Sequence, residues 1–205
     1  MKLLLQCFEI GGVYASAVQR FIGRHRVYAQ RHGMGYLAVA VPHETQGGWD
    51  KLRLMRDFLN MYDFIMYLDA DAVVANMAVD PSNVLCNTKD MGGIGMVKHP
   101  HSIYGYHWNT GVMYLQEGQC RVQRFLDRWL SYQGTQHDHA TAWEQGVLNE
   151  HFGLEYNLVQ TPDCWNATLA VNDVELPIVL AAHGFGPMEK RGEVLETELK
   201  KRGMW

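Results

Sequence analysis

The stretch Phe64-Ile65-Met66-Tyr67-Leu68-Asp69-Ala70-Asp71 decides how this chain reads. Its first five residues are apolar or aromatic without a break. That is the pattern of a strand buried on both faces in a mostly parallel sheet. Two carboxylates follow, two positions apart. Alternate residues of an extended chain point to the same side, so Asp69 and Asp71 face one direction. They stand where the strand ends, and open α/β sheets bind ligands beyond the carboxyl ends of their strands. Like charges this close repel unless a cation or a proton separates them. Asp-x-Asp also begins ordinary solvated loops, but the buried strand ahead of it favours a binding site.

Outward from this strand the pattern alternates. Lys2 to Phe8 is a short apolar run, closed by a turn at Gly11 and Gly12. Ala15 to His32 predicts a helix, with Val18, Phe21 and Ile22 at helical spacing and Gly33 as its stop. Tyr36 to Val41 predicts a strand, and Gly47 with Gly48 a loop. Lys51 to Met61 predicts a helix with Leu52, Met55, Phe58 and Leu59 on one face. Beyond Asp71, Gly93 to Val97 and Thr110 to Leu115 read as strands. Arg121 to Tyr132 reads as an amphipathic helix through Val122, Phe125, Leu126 and Trp129. Trp143 to His151 predicts a helix and Ile178 to Ala182 a last strand. Strands alternating with helices predict an α/β fold, a mostly parallel central sheet flanked by helices. No repeat or linker divides the 205 residues, which suit a single domain.

Composition narrows the function classes. Apolar residues at 47% and charged residues at 20% place the chain among globular proteins and away from disordered ones. A net charge of −4 gives no general attraction to nucleic acid or anionic lipid. Lys200-Lys201-Arg202 reads as a solvated helix end, where cations suit the dipole. Cys7, Cys86, Cys120 and Cys164 are widely spaced with no Cys-x-x-Cys pair, which predicts reduced thiols and a cytoplasmic location. The apolar N-terminal run is too short for a membrane span and is closed by Glu9.

A second buried strand also ends in polar residues. Ala182 is followed by His183-Gly184-Phe185-Gly186-Pro187-Met188-Glu189-Lys190. His183 offers a ring nitrogen, and Gly184 and Gly186 let the backbone approach phosphate oxygens. Lys190 supplies positive charge for a diphosphate. A divalent ion between the aspartates and a diphosphate would neutralise a leaving nucleoside diphosphate. An Asp and His set favours Mn²⁺ over Mg²⁺ because imidazole is the softer ligand.

Three further segments complete a pattern: Gly48-Trp49-Asp50-Lys51-Leu52-Arg53-Leu54-Met55-Arg56, Trp108-Asn109-Thr110-Gly111-Val112-Met113-Tyr114-Leu115 and Trp143-Glu144-Gln145-Gly146-Val147-Leu148. With the Asp-x-Asp strand and the His183 segment, in this order, they resemble GT-A nucleotide-sugar transferases. The resemblance is to the family of plant xyloglucan xylosyltransferases, galactomannan galactosyltransferases and fungal Golgi mannosyltransferases. It implies a single GT-A (Rossmann-like) domain, with a nucleotide-binding half over about 1–75 and an acceptor-side half over about 76–205. It also implies a nucleotide-sugar donor, often UDP-linked, a Mn²⁺ ion, a glycan acceptor and retention of anomeric configuration.

By the same resemblance Asp71 and His183 bind the metal, and Asp69 contacts metal, ribose or donor sugar. Lys51 and Lys190 meet the nucleotide and diphosphate. Asn109 and Glu144 hold the sugar's hydroxyls, and Gln145 lies beside the anomeric carbon. An amide there steadies positive charge by its carbonyl dipole but makes a poor covalent nucleophile. The family's two acids before the Gln appear here as Trp143-Glu144, so one is missing. The family's eukaryotic members carry a membrane anchor, which this chain is not expected to have. It is also short for such an enzyme, so the acceptor-binding part is expected to be reduced, or supplied by a further domain or partner protein.

Two alternatives compete. Leu68-Asp69-Ala70-Asp71 also resembles the nucleophile loop of haloacid-dehalogenase-type phosphohydrolases, with Asp173 and Glu175 as later acids. A non-catalytic nucleotide-sugar binding module would keep the metal site without turnover. The aromatics Tyr104, Tyr106, His107, Trp108 and Trp165 read equally as sugar-stacking platforms or as core.

Overall fold

The computed structural model describes residues 1–42, 47–85, 93–101, 105–117, 120–135, 143–152, 158–169, 174–182 and 187–205. The strands are β1 (Lys2–Glu9), β2 (Met34–Val41), β3 (Phe64–Leu68), β4 (Ala72–Val74), β5 (Gly93–Met96), β6 (Lys98–His101), β7 (Gly105–Trp108), β8 (Val112–Gln116), β9 (Leu158–Gln160), β10 (Ala167–Thr168) and β11 (Val179–Ala181). The helices are α1 (Ala15–Arg31), α2 (Gly47–Phe58), α3 (Arg121–Leu130), α4 (Trp143–His151) and α5 (Arg191–Lys201). Among the described residues no helix is long and apolar enough to cross a membrane.

The main sheet has the order β2-β1-β3-β8-β5-β9. Strand β1 pairs in parallel with both β2 and β3, and β5 pairs in parallel with β9. Only β8 runs against its neighbours β3 and β5. The sheet is thus mostly parallel, as the alternating pattern predicts. A smaller sheet, β10-β11-β4, continues the chain directly after the two aspartates. There β11 lies antiparallel to β4, while β6 and β7 form a separate hairpin.

The period of two sorts each central strand between two cores. Leu3, Leu5, Ile65, Tyr67, Met113 and Leu115 pack against α2, α3 and α4. Leu4, Phe64, Met66, Leu68, Val112 and Tyr114 pack on the other face with Tyr28 and Ala29 of α1. Phe21 of α1, Leu195 and Leu199 of α5, and Val73 and Leu180 of the small sheet close a third cluster. Arg24 binds α1 to the small sheet, donating from Nε to Val74 O and from Nη2 to Ala75 O, both at 2.6 Å.

The structure alters several sequence readings. Gly47 and Gly48 are the first turn of α2, not a loop. The reason is steric: a Cβ on Gly48 would lie 1.8 Å from Glu144 Oε2, so the helix needs glycine there for α4 to approach. Lys200 and Lys201 do end a helix, paired with Glu196 and Glu198. Trp108 and Trp165 are core residues, not open platforms. Tyr104 and Cys86 lie outside the described residues, and Cys7, Cys120 and Cys164 are free thiols.

Candidate active site

The carboxyl ends of β1 and β3 open into a cavity of about 440 Å³. Its wall draws on Cys7, Phe8 and Glu9 at the end of β1, Tyr14 before α1, Gly48 and Lys51 of α2, Tyr67 of β3 and Asp69 to Asp71 after it. It also takes Asn109 to Gly111 before β8, Glu144 and Gln145 of α4, and Arg191 of α5. Residues from both halves of the chain therefore build one site. Asp69 and Asp71 both line it, but the chain turns between them, with Ala72 N–H donating to Asp69 O at 3.1 Å, and is not the extended run that the spacing argument assumes.

Lys51 is the hub on one side. Its Nζ lies 2.8 Å from Glu144 Oε1 and 3.3 Å from Asp69 Oδ1. It also donates to Thr110 O at 3.1 Å and to Thr110 Oγ1 at 3.2 Å. Burial works against its charge, but Asp69 and then Glu144 outweigh burial and hold the ammonium above the usual lysine range. Tyr67 donates its hydroxyl to Asp69 Oδ1 at 2.8 Å. Burial, then the Asp69 charge, keep that phenol protonated well above its ordinary range. Cys7, also on the wall, is no nucleophile: burial, then Asp50 and Asp69, push its thiol up to about 12.

A buried polar layer steadies Asp69 from behind. Gln6 donates from Nε2 to Asp69 O at 3.4 Å, and its Oε1 accepts from Tyr36 and from His25 Nδ1. Val74 N–H donates to His25 Nε2, which fixes the proton on Nδ1. Burial, then Arg24, push the His25 pKa down to about 3, so the ring is neutral. Neither Gln6 nor His25 stands out in the sequence, since a polar residue in a strand and a His in a helix are unremarkable singly.

The amide residues are held by the backbone. Asn109 Oδ1 accepts from Gly111 N at 2.8 Å and from Asn166 Nδ2 at 2.9 Å. A backbone N–H can only donate, so the Asn109 oxygen points there and Nδ2 is left as its donor. Gln145 Oε1 accepts from Thr110 N at 3.0 Å and from Thr110 Oγ1 at 3.2 Å. The carbonyl dipole is thus committed to Thr110, and Nε2 is the polar group left to meet a ligand. Trp129 Nε1 donates to Glu144 O at 2.9 Å, tying the first turn of α4 to α3.

On the opposite side Asp71 meets Arg191. Arg191 Nη1 lies 2.6 Å from Asp71 Oδ2, with both side chains buried. The same nitrogen donates to Tyr14 Oη at 3.0 Å. The sequence reading missed Arg191. The available signal was a cation at the first position of a helix, where the dipole disfavours it. Its neighbour Lys190 is exposed on a 3-10 turn and does not line the cavity. His183, Gly184 and Gly186 lie outside the described residues.

Among the described residues, no three His, Cys, Asp or Glu side chains cluster tightly enough to hold a metal ion alone. The donor set nonetheless suits a hard divalent ion that shares its shell with a bound anion. Four carboxylates (Glu9, Asp69, Asp71, Glu144) face two cations (Lys51, Arg191), a formal excess of two negative charges.

No protein-family model matches the chain, and no curated protein does. Solved structures do. A glycosyltransferase involved in glycosylation of the major capsid of PBCV-1 superposes with a TM-score of 0.73 at 14% identity, over 95% of this chain and 98% of that one. The galactosyltransferase LgtC, in complex with donor and acceptor sugar analogues, gives 0.58 at 14% identity, over 98% of this chain and 100% of that one. Mouse xyloside xylosyltransferase 1 gives 0.58 at 12% identity, over 91% and 99%. At such identities the likeness is one of fold, and the fold of this chain is that of the GT-A glycosyltransferases.

Proposed function

We propose that the protein is a glycosyltransferase that moves a sugar from a nucleotide-sugar, UDP-linked by the resemblance above, to a hydroxyl of a glycan acceptor with retention. One observation carries the reading. Asp69 and Asp71, at the end of β3, face a cavity whose other walls present Lys51, Asn109, Glu144 and Gln145. The fold brings these residues together from four separate segments of the chain, the ones on which the family resemblance rests.

Asp71 and Asp69, with His183, are the residues that would hold Mn²⁺ or Mg²⁺. When bound, the ion supplies positive charge to the leaving diphosphate. The protein's own groups do the rest. Lys51 holds Asp69 and Glu144 in place, since each carboxylate has the buried ammonium as its partner. Asn109 Nδ2 and the Glu144 carboxylate are a donor and an acceptor for sugar hydroxyls. Gln145 Nε2 donates beside them. No carboxylate lies in the role of a covalent nucleophile by sequence resemblance, so a front-face route suits the site. There the acceptor attacks from the leaving group's side and a diphosphate oxygen takes its proton.

The phosphohydrolase reading lacks support. Of its later acids, Glu175 is exposed and does not line the cavity, and Asp173 lies outside the described residues. A panel of nucleotide-sugars with Mn²⁺, read by melting shift and donor hydrolysis together, tests the proposal. One donor should raise the melting point by mass action and be slowly hydrolysed. Product NMR with an acceptor should keep the donor's anomeric configuration. Cleavage of a phosphate monoester with no response to any nucleotide-sugar would overturn it.

A further inference from the structure

Resting on that reading, we propose that Arg191 is an exchangeable cation: it neutralises Asp71 while the site is empty and passes to the donor's diphosphate when donor and metal bind. The geometry is that of a partial commitment. Arg191 reaches Asp71 and Tyr14 through one nitrogen, Nη1, and its Nε is buried with no hydrogen-bond partner among the described residues. A guanidinium serving only as a structural clamp would spend its planar fork on the carboxylate. Here one edge is left over inside the protein.

Its position adds to the charge. Arg191 begins α5, whose N-cap Lys190 makes no side-chain capping bond, so the positive end of the helix reinforces the guanidinium. The next residue, Gly192, packs so closely on α1 that a Cβ there would lie 3.0 Å from Ala17 Cα, so α5 is docked tightly against α1 beside the cavity. The exchange is assigned to the long Arg191 side chain. A divalent cation competes with the guanidinium for Asp71, whereas a diphosphate brings oxygens that the guanidinium can bind in two places at once. Metal alone must therefore displace Arg191 at a loss, while metal with diphosphate gives it a new partner. The result is a site that takes metal well only together with the nucleotide.

The test is calorimetry on the intact chain, with Mn²⁺ alone, UDP in saturating Mn²⁺, and uridine. In Arg191→Met, Mn²⁺ alone should bind roughly 5-fold or more tighter than in wild type, and UDP roughly 10-fold or more weaker, within the usual range of coupling between sites. Uridine affinity should not move. Structural damage would weaken all three together. Circular dichroism checks the fold. If Arg191→Met does not fold, Arg191→Lys carries the same test, with both changes smaller and in the same directions. Unchanged or weaker Mn²⁺ binding, or unchanged UDP binding, would overturn the inference alone. A wild-type protein that binds neither UDP nor Mn²⁺ would overturn the proposed function with it.

Discussion

Asp69 and Asp71 stand two residues apart, yet their cations are held in different ways. Lys51 is enclosed by oxygens of Asp69, Glu144 and Thr110, and its side chain is 5% exposed. Arg191 reaches Asp71 through a single nitrogen and keeps a buried N–H without a partner among the described residues. The first arrangement satisfies the donors of an ammonium, and nothing is gained by changing it. The second leaves hydrogen-bonding capacity inside a cavity. The pair thus separates scaffold from working part: the Lys51 side fixes the wall, and the Arg191 side answers the ligand.

The sharpest way to break this contrast is Lys51→Met. It leaves the half-buried Asp69 and the buried Glu144 with no shared cation, and stripping one partner from a buried pair costs about 3–5 kcal/mol. Thermal unfolding should fall by on the order of 10 °C for a chain of this size. A melting point within a degree or two of wild type would show that the hub does not hold the wall.

Gly48→Ala tests the same side more gently, and its sign discriminates. Helix propensity alone predicts a gain of about 1 kcal/mol for replacing glycine inside a helix. Contact predicts a loss, because the new Cβ falls 1.8 Å from Glu144 Oε2 and pushes that carboxylate off Lys51. We expect a net loss of about 1–3 kcal/mol by urea unfolding, the usual range for overpacking. A stabilised variant would mean that Glu144 swings aside freely and is not fixed by Lys51.

The smallest expected effect belongs to Lys190→Ala. Lys190 is exposed beside the buried Arg191. Its removal should change stability by about 0.5 kcal/mol or less, as for most surface changes, and UDP affinity by roughly twofold at most. A tenfold loss of UDP affinity would return the diphosphate role to Lys190, as the sequence pattern suggests.

How far the sequence reads can be seen in particular residues. Strands β1 and β3 and helix α1 are plain in it because unbroken apolar runs and helical spacing are local properties. Strand β4, residues Ala72–Val74, is hidden because three residues carry no period; only its pairing with β11, more than a hundred positions away, makes it a strand. Gly48 reads as a loop because its reason, the approach of Glu144, comes from a distant helix. Asn109, Glu144 and Gln145, which the resemblance points to, line the cavity, but which atom of each faces it depends on hydrogen bonds to Thr110, Gly111 and Asn166. Arg191 was hidden because a cation next to a glycine has no pattern until its helix is known to begin there.

The central claim is that Asp71 belongs to a metal-assisted diphosphate site. UDP titrated calorimetrically into wild type and Asp71→Asn, each with Mn²⁺ and with chelator, tests it most directly. The account predicts that Mn²⁺ tightens UDP binding to wild type at least tenfold, about 1.4 kcal/mol, and that Asp71→Asn loses this gain while still folded by circular dichroism. An equal affinity for UDP in wild type with and without Mn²⁺, or a gain that survives intact in Asp71→Asn, would contradict it.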